Sequence, residues 1–147
     1  MTSGGFLLDT NVLSELVAAA PAPQVVRWMA VQEPGRLFLS VVTLGELTKG
    51  VARLDPGRRR DQLARWLAED LTAQFAGRVL TFDQAVAVRW GEMMAEAERR
   101  GRPRPAVDLQ IAATAACAGL GVATRNTADF DGIGLELINP WVEEVPR

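Results

Sequence analysis

The sequence has no histidine and no tyrosine, and only one cysteine (Cys117) and one lysine (Lys49) among its 147 residues. Without imidazole there is no Ser-His-Asp triad, no Cys-His pair and no histidine acid–base chemistry. A tetrahedral zinc site of Cys and His ligands is excluded as well. A lone cysteine closes no internal disulfide, so nothing points to an oxidising compartment. The lone lysine, in Gly45-Glu46-Leu47-Thr48-Lys49-Gly50, makes no GxxxxGK phosphate loop. No basic segment followed by an apolar run opens the chain. The longest uncharged run, 109–124, falls short of the ~20 apolar residues that span a bilayer. The expectation is a cytoplasmic protein with no membrane part. If it is an enzyme, carboxylates are its reactive groups, alone or around a hard metal ion.

Hydrophobic residues make up 48% of the chain and charged residues 23%, with a net charge of −2. This is globular composition, and the length suits one domain over 1–147. Bulk charge supplies no basic surface, though local patches remain open. Short apolar runs at 5–8, 36–40, 78–82, 121–124 and 134–138 read as strands. Helical stripes or Pro-led segments fall at 11–17, 24–31, 43–54, 58–75, 83–100 and 109–120. The alternation predicts the α/β class: a three-layer α/β/α domain with a central, mostly parallel sheet of about five strands. Ligands of such sheets bind beyond the carboxyl ends of the strands.

Four acids stand near those ends. Asp9 follows the first strand. Glu46 falls in the first turn of the helix after the second. Asp108 precedes the Ala-rich helix, and Asp129 lies after the fourth strand, near Asn126. Each has an alternative in local structure. Asp9 or Asn11 can cap the first helix, and Asp108 the Ala-rich one. Thr43 and Glu46 fit a capping box, and Asp129 an Asx-turn. Taken together, the acids would converge on one crevice and repel one another unless a cation neutralises them. Mg²⁺ or Mn²⁺ suits oxygen ligands. A metal so held activates water and clamps a phosphodiester oxygen. Thr10 and Asn11 can bond a phosphate or orient a carboxylate, and Asn126 can orient a water.

In order along the chain, Phe6-Leu7-Leu8-Asp9-Thr10-Asn11-Val12-Leu13-Ser14-Glu15 resembles the opening of a PIN-domain ribonuclease. Leu39-Ser40-Val41-Val42-Thr43-Leu44-Gly45-Glu46-Leu47 resembles its second acidic motif. Asp108-Leu109-Gln110-Ile111-Ala112-Ala113-Thr114-Ala115 resembles the third. Val122-Ala123-Thr124-Arg125-Asn126-Thr127-Ala128-Asp129-Phe130 resembles the fourth, and Ile138-Asn139-Pro140-Trp141 the usual ending. The likeness is nearest to the toxin subunit of VapBC-type toxin–antitoxin pairs, in the FitB-like branch. It implies a PIN-like fold and a Mg²⁺- or Mn²⁺-dependent endoribonuclease. The implied partners are an RNA substrate and a VapB/FitA-like antitoxin, with a homodimer and a larger toxin–antitoxin assembly. By position, Asp9, Glu46 and Asp108 are the acidic core, and either Asp129 or Asn126 completes it.

Basic clusters at Arg58–60, at Arg99, Arg100, Arg102 and Arg104, and at Arg125 can hold RNA phosphates. They can equally be a solvated face, paired in part with Glu92, Glu96 and Glu98. Trp66, Trp90, Met93 and Met94 read as packing, and Cys117 as buried. Trp28 and Trp141 read as core, or as a dimer or antitoxin surface. Three rivals remain. A phosphoacceptor receiver needs a lysine at a late strand end, which this chain lacks. An Asp-nucleophile phosphatase needs a second acid where Asn11 stands. A silent binding module normally loses acids that this chain keeps.

Overall fold

In a strand, successive side chains point to opposite faces. Phe6, Leu7 and Leu8 use that alternation fully, since all three are buried. The computed structural model describes residues 4–144. Strands β1 (Phe6–Leu8), β2 (Leu37–Ser40), β3 (Val79–Leu80), β4 (Gly121–Ala123) and β5 (Leu137–Ile138) form one sheet in the order β3-β2-β1-β4-β5. Every pairing is parallel; Phe6 stands opposite Leu37 and Gly121, and Leu8 opposite Ala123.

Helices cover both faces. On one side Phe6, Leu8, Leu37, Leu39 and Ala123 pack against α1 (Thr10–Leu16), α2 (Pro23–Val31) and part of α3 (Val41–Ala52). On the other, Leu7 and Val122 meet α6 (Gln84–Arg99) and α7 (Ala106–Ala118). The period-2 split of β1, β2 and β4 between two cores is what makes three layers, as the sequence predicts. Trp28 settles as core: it is 2% exposed and meets Phe6 edge-on at 5.9 Å. Trp66, Trp90 and Met94 are half-buried against the cores, and Met93 is buried.

The segment expected as one helix over 58–75 is α4 (Arg58–Arg65), a π-helical stretch Trp66–Leu71 and α5 (Thr72–Gln74). Thr72 Oγ1 donates to the carbonyl of Leu67, five residues back, at 3.2 Å, matching the wider turn. Leu71 and Phe75 enter the core just there. Every strand is shorter than expected, β3 and β5 the most. Beyond Ser40 the chain passes into α3, so β3 pairs only with Leu39 and Ser40. Gly134 turns the chain at φ 90°, so β5 starts later than residue 134. Gly121 is required by close approach: a Cβ there would stand 2.7 Å from the carbonyl oxygen of Glu136 and 2.9 Å from the Phe6 ring. Cys117 is exposed, not buried. Helix α7 buries Leu109 through Ala115 apart from Gln110, and its last turn is exposed before the cap at Gly119.

Candidate active site

The chain leaves the central strand β1 toward β2 on one side, and β4 lies on the other. The order therefore reverses at β1, where a parallel sheet leaves a crevice at its carboxyl edge. A cleft of about 450 Å³ opens there, lined among others by Asp9, Thr10, Asn11, Glu46, Asp108 and Asn126.

Asp9 is the residue immediately after β1, and it both caps α1 and faces the cleft. Its Oδ1 accepts the Thr10 N–H at 2.8 Å, and its Oδ2 accepts the Thr124 hydroxyl at 2.8 Å. The side-chain amide of Asn11 also donates to Oδ2, at 3.4 Å. The local alternative and the functional reading hold together for this residue. For two other acids the capping alternative fails. Helix α3 begins at Val41, capped by Ser40, whose Oγ accepts the Val42 N–H at 3.0 Å. There is no Thr43–Glu46 capping box, and Glu46 stands in the second turn rather than the first. Its Oε1 instead accepts the Thr10 hydroxyl across the cleft at 2.5 Å. Helix α7 begins at Ala106, with Pro105 at its cap, so Asp108 is a first-turn residue of the helix and not its cap. The dipole at that helix start favours an anion. Asp129 ends a 3₁₀ turn, Thr127–Asp129.

The electrostatics join all four acids. Asp108 is pushed up to about 6 by burial first, and then by the charges of Asp9, Asp129 and Glu46. Asp9 is also raised, again chiefly by burial, with Glu46 and Asp129 adding to it. The hydrogen bonds from Thr124 and Thr10 work in the opposite direction. Among the described residues no three acids form a ready ligand cage. Asp9 is held by Thr10, Asn11 and Thr124 and Glu46 by the Thr10 hydroxyl, and the four acids share one field. That field suits a cation. These are hard oxygen donors whose charged forms disfavour one another, and a divalent ion would relieve that repulsion. Asn126 is a wall of the cleft, whereas Asp129 acts on Asp9 and Asp108 through its charge.

Sequence reasoning missed Thr124. It is fully buried just past β4, donates to Asp9, and accepts from the Asn126 N–H at 3.0 Å and the Asn11 amide at 3.3 Å. The signal that could have found it is a hydroxyl ending the apolar run Gly121-Val122-Ala123.

The expected basic contacts divide. Arg125 lines the cleft. Arg102 and Arg104 lie on a second opening, about 390 Å³, between α6, the start of α7 and residues 132–133. Arg104 spends its donors on the chain: on the carbonyl of Asp129 at 2.6 Å and on that of Asp131 at 2.5 Å. Its side chain is 11% exposed. Arg102 pairs with the Asp131 carboxylate at 2.8 Å. Arg99 and Arg100 both pair with Glu96. Arg59 donates to the carbonyl of Val17.

Comparison with known proteins agrees with this geometry. The PIN domain family model matches residues 6–134. The chain is 41% identical to the VapC ribonuclease Y4jK of Sinorhizobium fredii, over 92% of this chain and 96% of that one. It is 38% identical to the toxin FitB of Neisseria gonorrhoeae, over 92% and 97%. A solved structure of FitAB bound to a DNA fragment superposes with a TM-score of 0.89 at 35% identity, covering 97% of this chain and 99% of that one.

Proposed function

The chain belongs to the PIN-domain family, and from that premise we propose that it is a metal-dependent endoribonuclease, the toxin of a type II toxin–antitoxin pair. It hydrolyses RNA phosphodiester bonds and arrests translation and growth until its antitoxin neutralises it. The observation that carries the reading is the shared cleft of Asp9, Glu46 and Asp108, where burial and then like charge raise the pKa values of Asp9 and Asp108. With no histidine in the chain, hydrolysis there rests on carboxylates.

Asp9 and Asp108 are the direct ligands we assign to Mg²⁺, with Mn²⁺ as the substitute. Glu46 assists through water or as a base, and Asp129 or Asn126 completes the set. When bound, the ion supplies an activated water and charge stabilisation at the phosphate. The chain's own residues do the rest. Thr124 and the Thr10 N–H fix both oxygens of Asp9, so its orientation is set before substrate arrives. Thr10 holds Glu46 on the opposite wall. The partners are RNA and a VapB/FitA-like antitoxin; the likeness to FitAB, solved on a DNA fragment, supports the second. The toxin itself is a homodimer within a larger toxin–antitoxin assembly. No helix among the described residues is long and apolar enough to cross a membrane, and cytoplasmic RNA is the target. Residues 1–147 work as one PIN domain.

The test is cleavage of RNA by the purified chain, with the metal removed by chelation and then restored with Mg²⁺ or Mn²⁺. Chelation abolishes cleavage and either ion restores it. Outer-shell partners of a metal are worth about 10–100-fold. A direct ligand should exceed that, so Asp9→Asn lowers the rate by at least about 100-fold while the protein stays folded by circular dichroism. An Asp9→Asn variant cleaving at the parent rate would falsify the assignment.

A further inference from the structure

Beside the acids, the cleft has a wall of different chemistry. Arg125 and Trp141 both line it, and the Arg125 guanidinium lies over the Trp141 ring at 5.3 Å from the centroid. Among the described residues no carboxylate pairs with Arg125. The Trp141 ring packs in turn against the core beneath α1 and α2. A planar cation is thus laid on an aromatic ring that is itself anchored.

The platform is tied to the acids through the backbone. The Arg125 N–H donates to Asn11 Oδ1 at 3.3 Å, and the Asn11 amide reaches Asp9. Asn139 bridges the two platform residues. Its amide donates to the Arg125 carbonyl at 3.3 Å, and its Oδ1 accepts the Trp141 N–H at 2.9 Å. The backbone of Arg125 is therefore tied to Asp9 through Asn11, and its guanidinium rests on the Trp141 ring. Phosphate attraction needs only charge. A guanidinium backed by an indole, on a backbone held by Asn139, is suited to stacking, which unpaired RNA bases do on arginine planes and aromatic rings.

We propose that Arg125, backed by Trp141, is the stacking platform for one unpaired RNA base beside the scissile phosphate. This rests on the ribonuclease reading above. A base in a duplex is stacked on its neighbours and cannot enter the platform.

The experiment uses a fluorescent single-stranded RNA containing a mapped cleavage site, and a set in which one nucleotide at a time is made abasic. Both cleavage and binding are measured, the latter by anisotropy with metal chelated. One abasic position flanking the cut should weaken binding and slow cleavage by about tenfold, a typical single-base stack. Arg125→Lys keeps the charge and loses the plane. It should treat intact and abasic RNA alike, as should Trp141→Leu, whereas Trp141→Phe should keep most of the discrimination. Cleavage that ignores base removal at every position would overturn the platform and leave the nuclease standing. So would an Arg125→Lys variant with the parent's discrimination. Base-selective binding by a parent chain that does not cleave would do the reverse, keeping the platform and removing the nuclease. A chain that neither binds nor cleaves RNA loses both readings.

Discussion

The acidic cleft and the arginine-lined opening meet at one loop, 126–133, and handle charge in opposite ways. In the arginine-lined opening most charges find an opposite. Arg99 and Arg100 meet Glu96, and Arg102 and Arg104 meet Asp131. In the cleft the acids find hydroxyls, amides and each other. Asp9 and Asp108 are raised, while Glu96 is lowered, first by its bond from Arg100 and then by the charge of Arg99. Neutralised charge serves structure, whereas unneutralised like charge is kept at a cost and is the mark of a site that takes a ligand. The better-paired opening is thus the less reactive of the two.

The sharpest way to break that contrast is Thr124→Val, which leaves every charge in place. It removes a buried hydroxyl that donates to Asp9 and accepts from Asn126 and Asn11. Unsatisfied buried polar groups cost about 1–3 kcal/mol of stability. Loss of an outer-shell partner costs about 10–100-fold in metal affinity. Calorimetric Mn²⁺ titration and thermal melting should register both. Unchanged Mn²⁺ affinity would mean that Asp9 needs no orientation.

Arg104 tests the junction of the two regions. It lies in the arginine-lined opening, but its bond to the Asp129 carbonyl fixes the loop bearing the fourth acid. Arg104→Met should destabilise the chain by about 1.5–3 kcal/mol, the scale of hydrogen bonds to a charged group. It should also lower cleavage severalfold through Asp129. If cleavage fell much more than the loop's displacement explains, Arg104 would belong with the phosphate contacts expected from the sequence.

How far these regions are legible in the sequence follows from the same physics. Alternation in Phe6-Leu7-Leu8 and the Ala-rich stretch at 109–120 announce a doubly covered sheet, and burial enforces it. The acids at 9, 46, 108 and 129 are visible as residues at element ends. Their stations within those elements are not, because one residue type serves both caps and clefts. Ser40 and Pro105 start α3 and α7 two or three residues earlier than expected, moving Glu46 from the first turn of its helix to the second and bringing Asp108 inside the first turn of its own. Cys117 looks buried among alanines, but the last turn of its helix is exposed. The π-turn at Trp66–Leu71 has no compositional mark. Thr124 passes for a strand residue because its task is set by partners more than a hundred positions away.

The raised Asp108 makes a smaller, pH-dependent prediction for the metal-free chain. Its folded pKa is about 6 against an ordinary 3.8, so between those values the folded state binds more protons than the unfolded one. Stability must fall as pH rises through that window and level off above it. The carboxyl keeps contact with solvent, which screens the effect, so about 1 kcal/mol is expected rather than the full shift. Asp108→Asn should flatten the chelated protein's melting profile between about pH 4 and pH 6, the span of that shift. A profile equally steep in Asp108→Asn would assign the slope to Asp9, the other raised acid.

The smallest effect should come from the best-paired charges. Arg99 and Arg100 share Glu96 at 2.6 and 2.8 Å, yet the two guanidiniums are 72% and 67% exposed at the side chain. Water already solvates groups so placed, and such pairs add little to stability. Arg99→Ala and Arg100→Ala, singly or together, should leave melting and Mn²⁺ affinity unchanged. Short distance is then no guide to importance here: Asn11 reaches Asp9 at a loose 3.4 Å, but the carboxylate it meets is buried. Salt separates the remaining possibility. If the double variant binds RNA less tightly and with a shallower salt dependence, those arginines contact phosphate despite their pairing, and the division between a reactive cleft and a structural arginine-lined opening no longer holds along α6.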